Sequence, residues 1–160
     1  MAHPAPVEHS RIVVAVSGSE ESMHATAVAA QIVAQRGELV FVHVVEVPLE
    51  FTLEAAAPRE EEAAQREGQE LLARCQALAE RYGVASRRVL VRRHAAGPAI
   101  VEVAEERGAD LIVISGEERF SRAGRVRLGP TATYILRHAA SRVLVLTAGM
   151  KATPALSQVA

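Results

Sequence analysis

Aromatic residues are scarce in this chain. Phe and Tyr together make up 3% of its 160 residues, and Trp is absent, which disfavours base-stacking platforms for single-stranded nucleic acid. There is one cysteine, Cys75, so an intrachain disulfide and a cysteine-based zinc cluster are excluded. That usage fits a reducing compartment. Charge of one sign is also lacking: 18 Lys and Arg stand against 19 Asp and Glu, for a net charge of −1. No global field therefore draws the chain to nucleic acid or to an anionic membrane. No apolar run approaches the ~18 residues that span a bilayer. The opening MAHPAPVEHS has no apolar core of the kind a signal peptide needs. The expectation is a cytoplasmic protein with no membrane insertion and no nucleic-acid partner.

Apolar residues are plentiful, at 49% against 23% charged, and the length suits one domain with a real core. Five short runs rich in Val, Ile and Leu fall at residues 12–16, 39–47, 89–91, 111–114 and 143–146. They are nearly continuous rather than alternating, as in a parallel sheet buried on both faces. Four helical patterns separate them. The first has Ser19 as N-cap, Glu20 and Glu21 in its first turn, and Gly37 as a left-handed stop. The second starts after Pro58, carries an apolar stripe of Leu71, Cys75, Leu78 and Tyr82, and stops at Gly83. The third has Gly97 as cap and Pro98 at its first position, and ends at Gly108. The fourth runs from about Pro130 to Ala139. This alternation predicts an α/β fold: one five-stranded, mainly parallel, Rossmann-like sheet with helices on both faces, wound right-handedly. The domain is expected over 11–147, with flexible tails at 1–10 and 148–160. Residues 48–58 form a longer loop with the character of a flap.

In such a sheet ligands bind beyond the carboxyl ends of the strands, where the winding reverses. Two turns would converge there. One is Ser17-Gly18-Ser19; the other is the segment GEERFSRAGRVRLGP from Gly116 to Pro130, read as a loop between the fourth strand and the fourth helix. Glycines and a helix N-terminus in that position can hold a phosphate.

Four stretches, IVVAVSGSEES, VHVVEVP, GPAIVEVAEERGADLIVIS and RLGPTATYILRHAASRVLVL, resemble in order and spacing the universal stress proteins, whose fold is akin to that of adenine nucleotide alpha hydrolases. They cover residues 11–146. The resemblance implies a small stress-response regulator or binding module, not an enzyme, with ATP or AMP as the ligand left open. It places candidate ligand contacts at Val16, Ser17, Gly18, Ser19, Val44, Ser115, Gly116, Arg119, Gly129, Pro130 and Thr131. Nucleotide-binding members carry Gly-x2-Gly-x9-Gly-Ser/Thr after the fourth strand. Here Gly116 and Gly129 match, whereas Arg119 replaces the second glycine, Pro130 the Ser/Thr, and Ser17 the family's Asp after the first strand. Arg119 adds a Cβ where the backbone must approach a phosphate. Pro130 has neither hydroxyl nor N–H. Ser17 has no carboxylate. The expectation is weakened or lost ATP binding, with an adenine-nucleotide (ATP, AMP or cyclic nucleotide) binder as the alternative. Arg119, Arg122, Arg125 and Arg127 could hold an anion by another geometry or form only a solvated charged loop. SGSEES also resembles the SGGxDS pyrophosphate loop of ATP-dependent adenylating enzymes, a reading disfavoured because no further catalytic cluster accompanies it.

The six histidines, His3, His9, His24, His43, His94 and His138, have no metal-ligand spacing. His43 is expected in a hydrogen-bonded core or interface role. Asp110, the sole Asp, stands at the wrong end of the fourth strand for a phosphoacceptor and suits a cap or salt bridge. Cys75 reads as an inert core thiol. Val143, Leu144, Val145 and Leu146 form an apolar sheet edge; by the resemblance that strand pairs with its copy in a homodimer. An unknown protein partner is left open.

Overall fold

A computed structural model of the chain describes residues 4–5, 7–116, 118–120 and 126–147. Five strands form one sheet: β1 (His9–Ala15), β2 (Val33–Glu46), β3 (Ala85–Arg93), β4 (Leu111–Gly116) and β7 (Arg142–Thr147). Their order is β3-β2-β1-β4-β7, and every pairing within it is parallel. Helices α1 (Ser19–Ile32), α2 (Arg59–Arg81), α3 (Ala96–Glu106) and α4 (Pro130–His138) connect them. The expected five-stranded α/β sheet is therefore present, and it is parallel throughout.

The period of two along each central strand divides the core. Ile12, Val14, Leu39, Phe41, Leu111 and Val113 face Ala25 and Ala29 of α1 and Leu72, Cys75 and Ala79 of α2. Val13, Val40, Val42, Ile112 and Ile114 face Ile100 and Val103 of α3 and Ala132 and Ile135 of α4. Both faces of β1 and β4 are covered, which explains why those strands read as unbroken apolar runs. Passing from β1 to β3 the chain winds one way; after β3 it crosses over β1 to β4 and winds the other way. The reversal lies between β1 and β4.

Several boundaries differ from expectation. β1 begins at His9, inside the stretch assigned to the N-terminal tail; residues 148–160 lie outside the described residues. Gly18, not Ser19, is the N-cap of α1, with no side-chain capping bond. Gly37 does not stop α1, which ends at Ile32 and runs directly into β2. The β1–β2 register slips between the pairs His9–Val33 and Arg11–Glu38, and the left-handed φ of 71° in that excursion falls on Arg36. Gly37 is demanded instead by crowding, since a Cβ there would lie 2.7 Å from the Ser10 carbonyl oxygen. The buried stripe of α2 is Gly68, Leu72, Cys75 and Ala79. The spacing is the expected one, but of Leu71, Cys75, Leu78 and Tyr82 only Cys75 belongs to it, and Tyr82 is exposed. The cap of α3 is Ala95 rather than Gly97. Gly97 serves the α3–α4 crossing, where a Cβ would meet that of Tyr134 at 2.9 Å.

The segment between β4 and α4 is not simply a loop. It contains β5 (Glu118–Phe120) and β6 (Val126–Leu128), paired antiparallel with Arg119 opposite Arg127. Two three-residue strands are too short for a periodic pattern to announce them. Arg122 and Arg125 lie outside the described residues.

Candidate functional site

A crevice of about 400 Å³ opens at the carboxyl ends of β1, β2 and β4, where the winding reverses. Its walls are Ala15, Val16, Val42, Val44, Ala96, Ile100 and Ile114, and its polar side chains are Ser17, His43, Glu46, Ser115 and Thr131. An apolar slot with a few convergent polar groups is the usual form of a small-molecule site. Of the sequence-predicted residues, Val16, Ser17, Val44, Ser115, Gly129, Pro130 and Thr131 line it. Gly18 and Gly116 do not: Gly18 caps α1, and Gly116 packs where a Cβ would lie 2.9 Å from Val145 Cγ1. Ser19 opens α1 and Arg119 lies in β5. The two strand-end turns do meet, because Ser17 of the first and Gly129 and Pro130 of the second line the same crevice.

Each turn is held locally. Val16 N–H donates to the Val42 carbonyl at 2.8 Å, and Ser17 N–H donates to Ser22 Oγ at 3.0 Å. The Val16 and Ser17 N–H groups are therefore already used within the protein. A Cβ on Gly18 would lie 2.4 Å from Glu21 Oε2, so that carboxylate already covers the N-terminus of α1, where an anion is otherwise favoured. The α4 end differs. Gly129 is its N-cap, with φ −63° and ψ 169°, and no acidic residue sits in its first turn. Pro130 occupies the first helical position, where a missing N–H is least costly. The next N–H groups, of Thr131 and Ala132, are first-turn donors without intrahelical acceptors, and both residues line the crevice. Gly129 has an ordinary φ, and among the described residues nothing lies within 4 Å of where its Cβ would be. Neither strain nor crowding among the described residues calls for glycine there.

Sequence reasoning missed Glu46, His43 and the α3 contribution. Glu46 Oε1 accepts from Ala96 N–H at 3.3 Å, capping α3 from β2. The His43 ring lies 2.8 Å through Nδ1 from the Val16 carbonyl; a carbonyl only accepts, so Nδ1 carries the proton. The expected hydrogen-bonded role for His43 is thus seen, but at the wall of the site. The end of β2 was a visible signal, since two polar side chains interrupt an otherwise apolar run. The other titratable groups stay structural. Asp110 Oδ2 accepts from Ser10 and Arg11 N–H at 2.8 and 3.3 Å at the opposite end of the sheet. Burial pushes the Cys75 thiol up, against a smaller opposing pull from the Thr26 hydroxyl, as befits an inert core group. Among the described residues no cluster of His, Cys, Asp and Glu could hold a metal ion, and no helix is long and apolar enough to cross a membrane.

A second cleft, about 510 Å³, lies at the amino ends of the strands beside Gly108, Asp110 and Ala139. The C-terminal ends of α3 and α4 border it, and their partial negative charge disfavours an anion.

The model of the universal stress protein family matches residues 8–147. No curated protein matches the chain. A universal stress protein from Archaeoglobus fulgidus is 25% identical, with a TM-score of 0.68 over 84% of this chain and 96% of that one. A universal stress protein family member from Burkholderia pseudomallei is 32% identical, with a TM-score of 0.62 over 87% and 96%. A universal stress protein solved in complex with cAMP is 23% identical, with a TM-score of 0.66 over 88% and 98%. With residues 8–147 of its 160 matched by that model, the chain belongs to the universal stress protein family.

Proposed function

We propose that this protein is a cytoplasmic, non-enzymatic regulatory module of the stress response that holds an adenine nucleotide in the switch-point crevice, with a weakened grip on its phosphates. The observation that carries the reading is the crevice itself: an apolar slot whose one end is the N-terminus of α4, with no acidic residue in the first turn of that helix. Gly129 supports it, because a glycine that packing among the described residues does not require leaves room for a ligand to approach the backbone. A similar fold binding cAMP supports the ligand class. The weakening follows from three substitutions: Pro130 supplies no N–H, Ser17 supplies no carboxylate, and Arg119 sits in a strand rather than in a glycine turn. Against the adenylating alternative, the SGSEES turn spends its Ser17 N–H on Ser22 and sets the Glu21 carboxylate beside Gly18. The module acts as a homodimer through β7. One edge of the sheet is β3, armed with Arg87, Arg88, Arg92 and Arg93; the other is the apolar β7. Charged edges resist pairing and apolar ones accept it.

Thermal unfolding with adenosine, AMP, cAMP and ATP tests the ligand. A nucleotide at 100 times its Kd adds about 2.7 kcal/mol, which raises Tm by several degrees in a domain of this size. AMP is expected to shift the midpoint, ATP to add little beyond AMP, and Pro130→Ser to raise ATP affinity. Flat curves with all four would refute the reading.

A further inference from the structure

β3 ends the sheet, with β2 on one side and, among the described residues, no strand on the other. Successive side chains of a strand face opposite sides of the sheet. Arg87 and Arg93 therefore stand on the α3 side with Val89 and Val91, and Arg88 and Arg92 on the α2 side with Leu90. In the carboxyl half of β3 the charge is neutralised, since Arg92 bonds Glu61 and Arg93 bonds Glu102. In the amino half it is not. Arg87 and Arg11 share one carboxylate, Glu38, at 3.3 and 2.7 Å. Arg88 is exposed and forms no ion pair among the described residues.

Arg36 adds to this corner. With Arg11, Glu38 and Ala85, the residue that opens β3, it lines a cleft of about 420 Å³. The other acid of that cleft, Asp110, has one oxygen on the Ser10 and Arg11 N–H groups and the other toward His9. Among the described residues Arg36 is also the one non-glycine with a left-handed φ, 71°. Glycine would hold that backbone without strain. Residues in such conformations cluster where function uses them, so an arginine at this cost points to a task for its guanidinium.

We propose that this corner is a docking edge for an acidic, extended segment of a protein partner, which adds a strand outside β3. The unpaired main-chain groups of the outer side give affinity for a strand of any sequence, and the side chains on its two faces give the selection. Arg87 and Arg88 flank the added strand on opposite faces, so a carboxylate on either face of the segment meets a guanidinium. Guanidinium and carboxylate match in a bidentate geometry. The arginines that set like charge against like in a second copy of β3 favour a partner of the opposite sign. The chain's net charge of −1 supplies no long-range pull on such a partner. Recognition is local, and added salt screens it.

The experiment is fluorescence anisotropy of a short labelled peptide of Val-Glu-Glu repeats titrated with the full chain. Binding is expected, with slowed hydrogen exchange at β3 amides in the complex. The same peptide with Pro for its central Val should bind about tenfold more weakly, because Pro offers no N–H and interrupts a strand. Arg88→Glu should weaken binding about tenfold, by turning attraction into repulsion. Arg36→Gly should weaken it about threefold, the size of one exposed ion pair, while its denaturant midpoint does not fall. If Arg88→Glu fails to fold, Arg88→Gln takes its place, with a loss of about threefold expected. Absence of binding overturns the proposal. Equal binding of the Pro-bearing peptide, or of a single-stranded oligonucleotide of the same charge, overturns it too, since either would leave a basic patch without strand pairing. Undiminished affinity in the Arg88 or Arg36 variant, or unchanged exchange along β3 in the complex, has the same consequence.

Discussion

Gly68 shows how a single position couples the core to the crevice. In sequence it is a glycine in the middle of a 23-residue helix, which reads as a local defect worth up to about 1 kcal/mol. In the fold a Cβ there would lie 2.4 Å from His43 Cδ2 and 2.8 Å from Nε2. The ring cannot retreat without breaking its bond to Val16, the residue where β1 opens into the crevice. Gly68→Ala should therefore destabilise the protein by about 1–2 kcal/mol, the cost of overpacking less the gain in helix propensity. It should also weaken AMP binding. Adding His43→Ala should recover most of the stability. A denaturant midpoint for Gly68→Ala at or above that of the wild type would contradict this account. At Arg36, by contrast, the left-handed backbone is a cost without visible compensation. Arg36→Gly should raise stability by up to about 1 kcal/mol, read from the same midpoints. Neither position could be ranked from sequence, because each depends on what another element brings within a few ångströms.

At the scale of elements, the segment 48–58 is tied down rather than free. Arg92 of β3 donates through its guanidinium to the carbonyls of Leu53 and Ala55, at 2.6 and 3.3 Å, and bonds the Glu61 carboxylate at the start of α2. The flap expected from its length is therefore pinned along one side, although Leu49 and Phe51 stay exposed. The hydrogen bond from Arg92 holds Glu61 below the usual carboxylate range, against a smaller opposing effect of burial. A lowered native pKa means that the unfolded chain binds the proton more readily. The stabilisation is thus present above the ordinary glutamate value, about 4.3, and is lost as pH falls through the lower native one. Hydrogen-exchange protection at the Phe51 and Ala55 amides, which bond Pro48 and Thr52 within the segment, should decline over that acid range. Glu61→Gln should remove the pH dependence. Protection that falls identically in both proteins would show that Glu61 is not the anchor. The strands and helices of the sheet were legible in sequence where an unbroken apolar run or a helical stripe marked them, as in β1, β4 and α2. The β5–β6 pair and the end of α1 were not, because three-residue strands carry no period, and a helix that passes straight into a strand has no stop signal.

On the scale of the whole molecule, an apolar edge at β7 and an arginine-bearing edge at β3 make the sheet one-sided. Light scattering should return twice the 17.1 kDa chain mass at micromolar concentration; a monomer there would remove the homodimer. Cys75 offers a probe of global opening, since its thiol is fully buried between α2 and the sheet. The sequence by itself determined the α/β class, the five-stranded parallel sheet, the family and the two turns that meet, because these follow from apolar periodicity and from motif order along the chain. Only the tertiary structure decided which helix end faces the crevice and that Glu46 and His43 join its walls. Those outcomes hang on distances between residues remote in the chain, set by sheet order and register, and no local pattern encodes them.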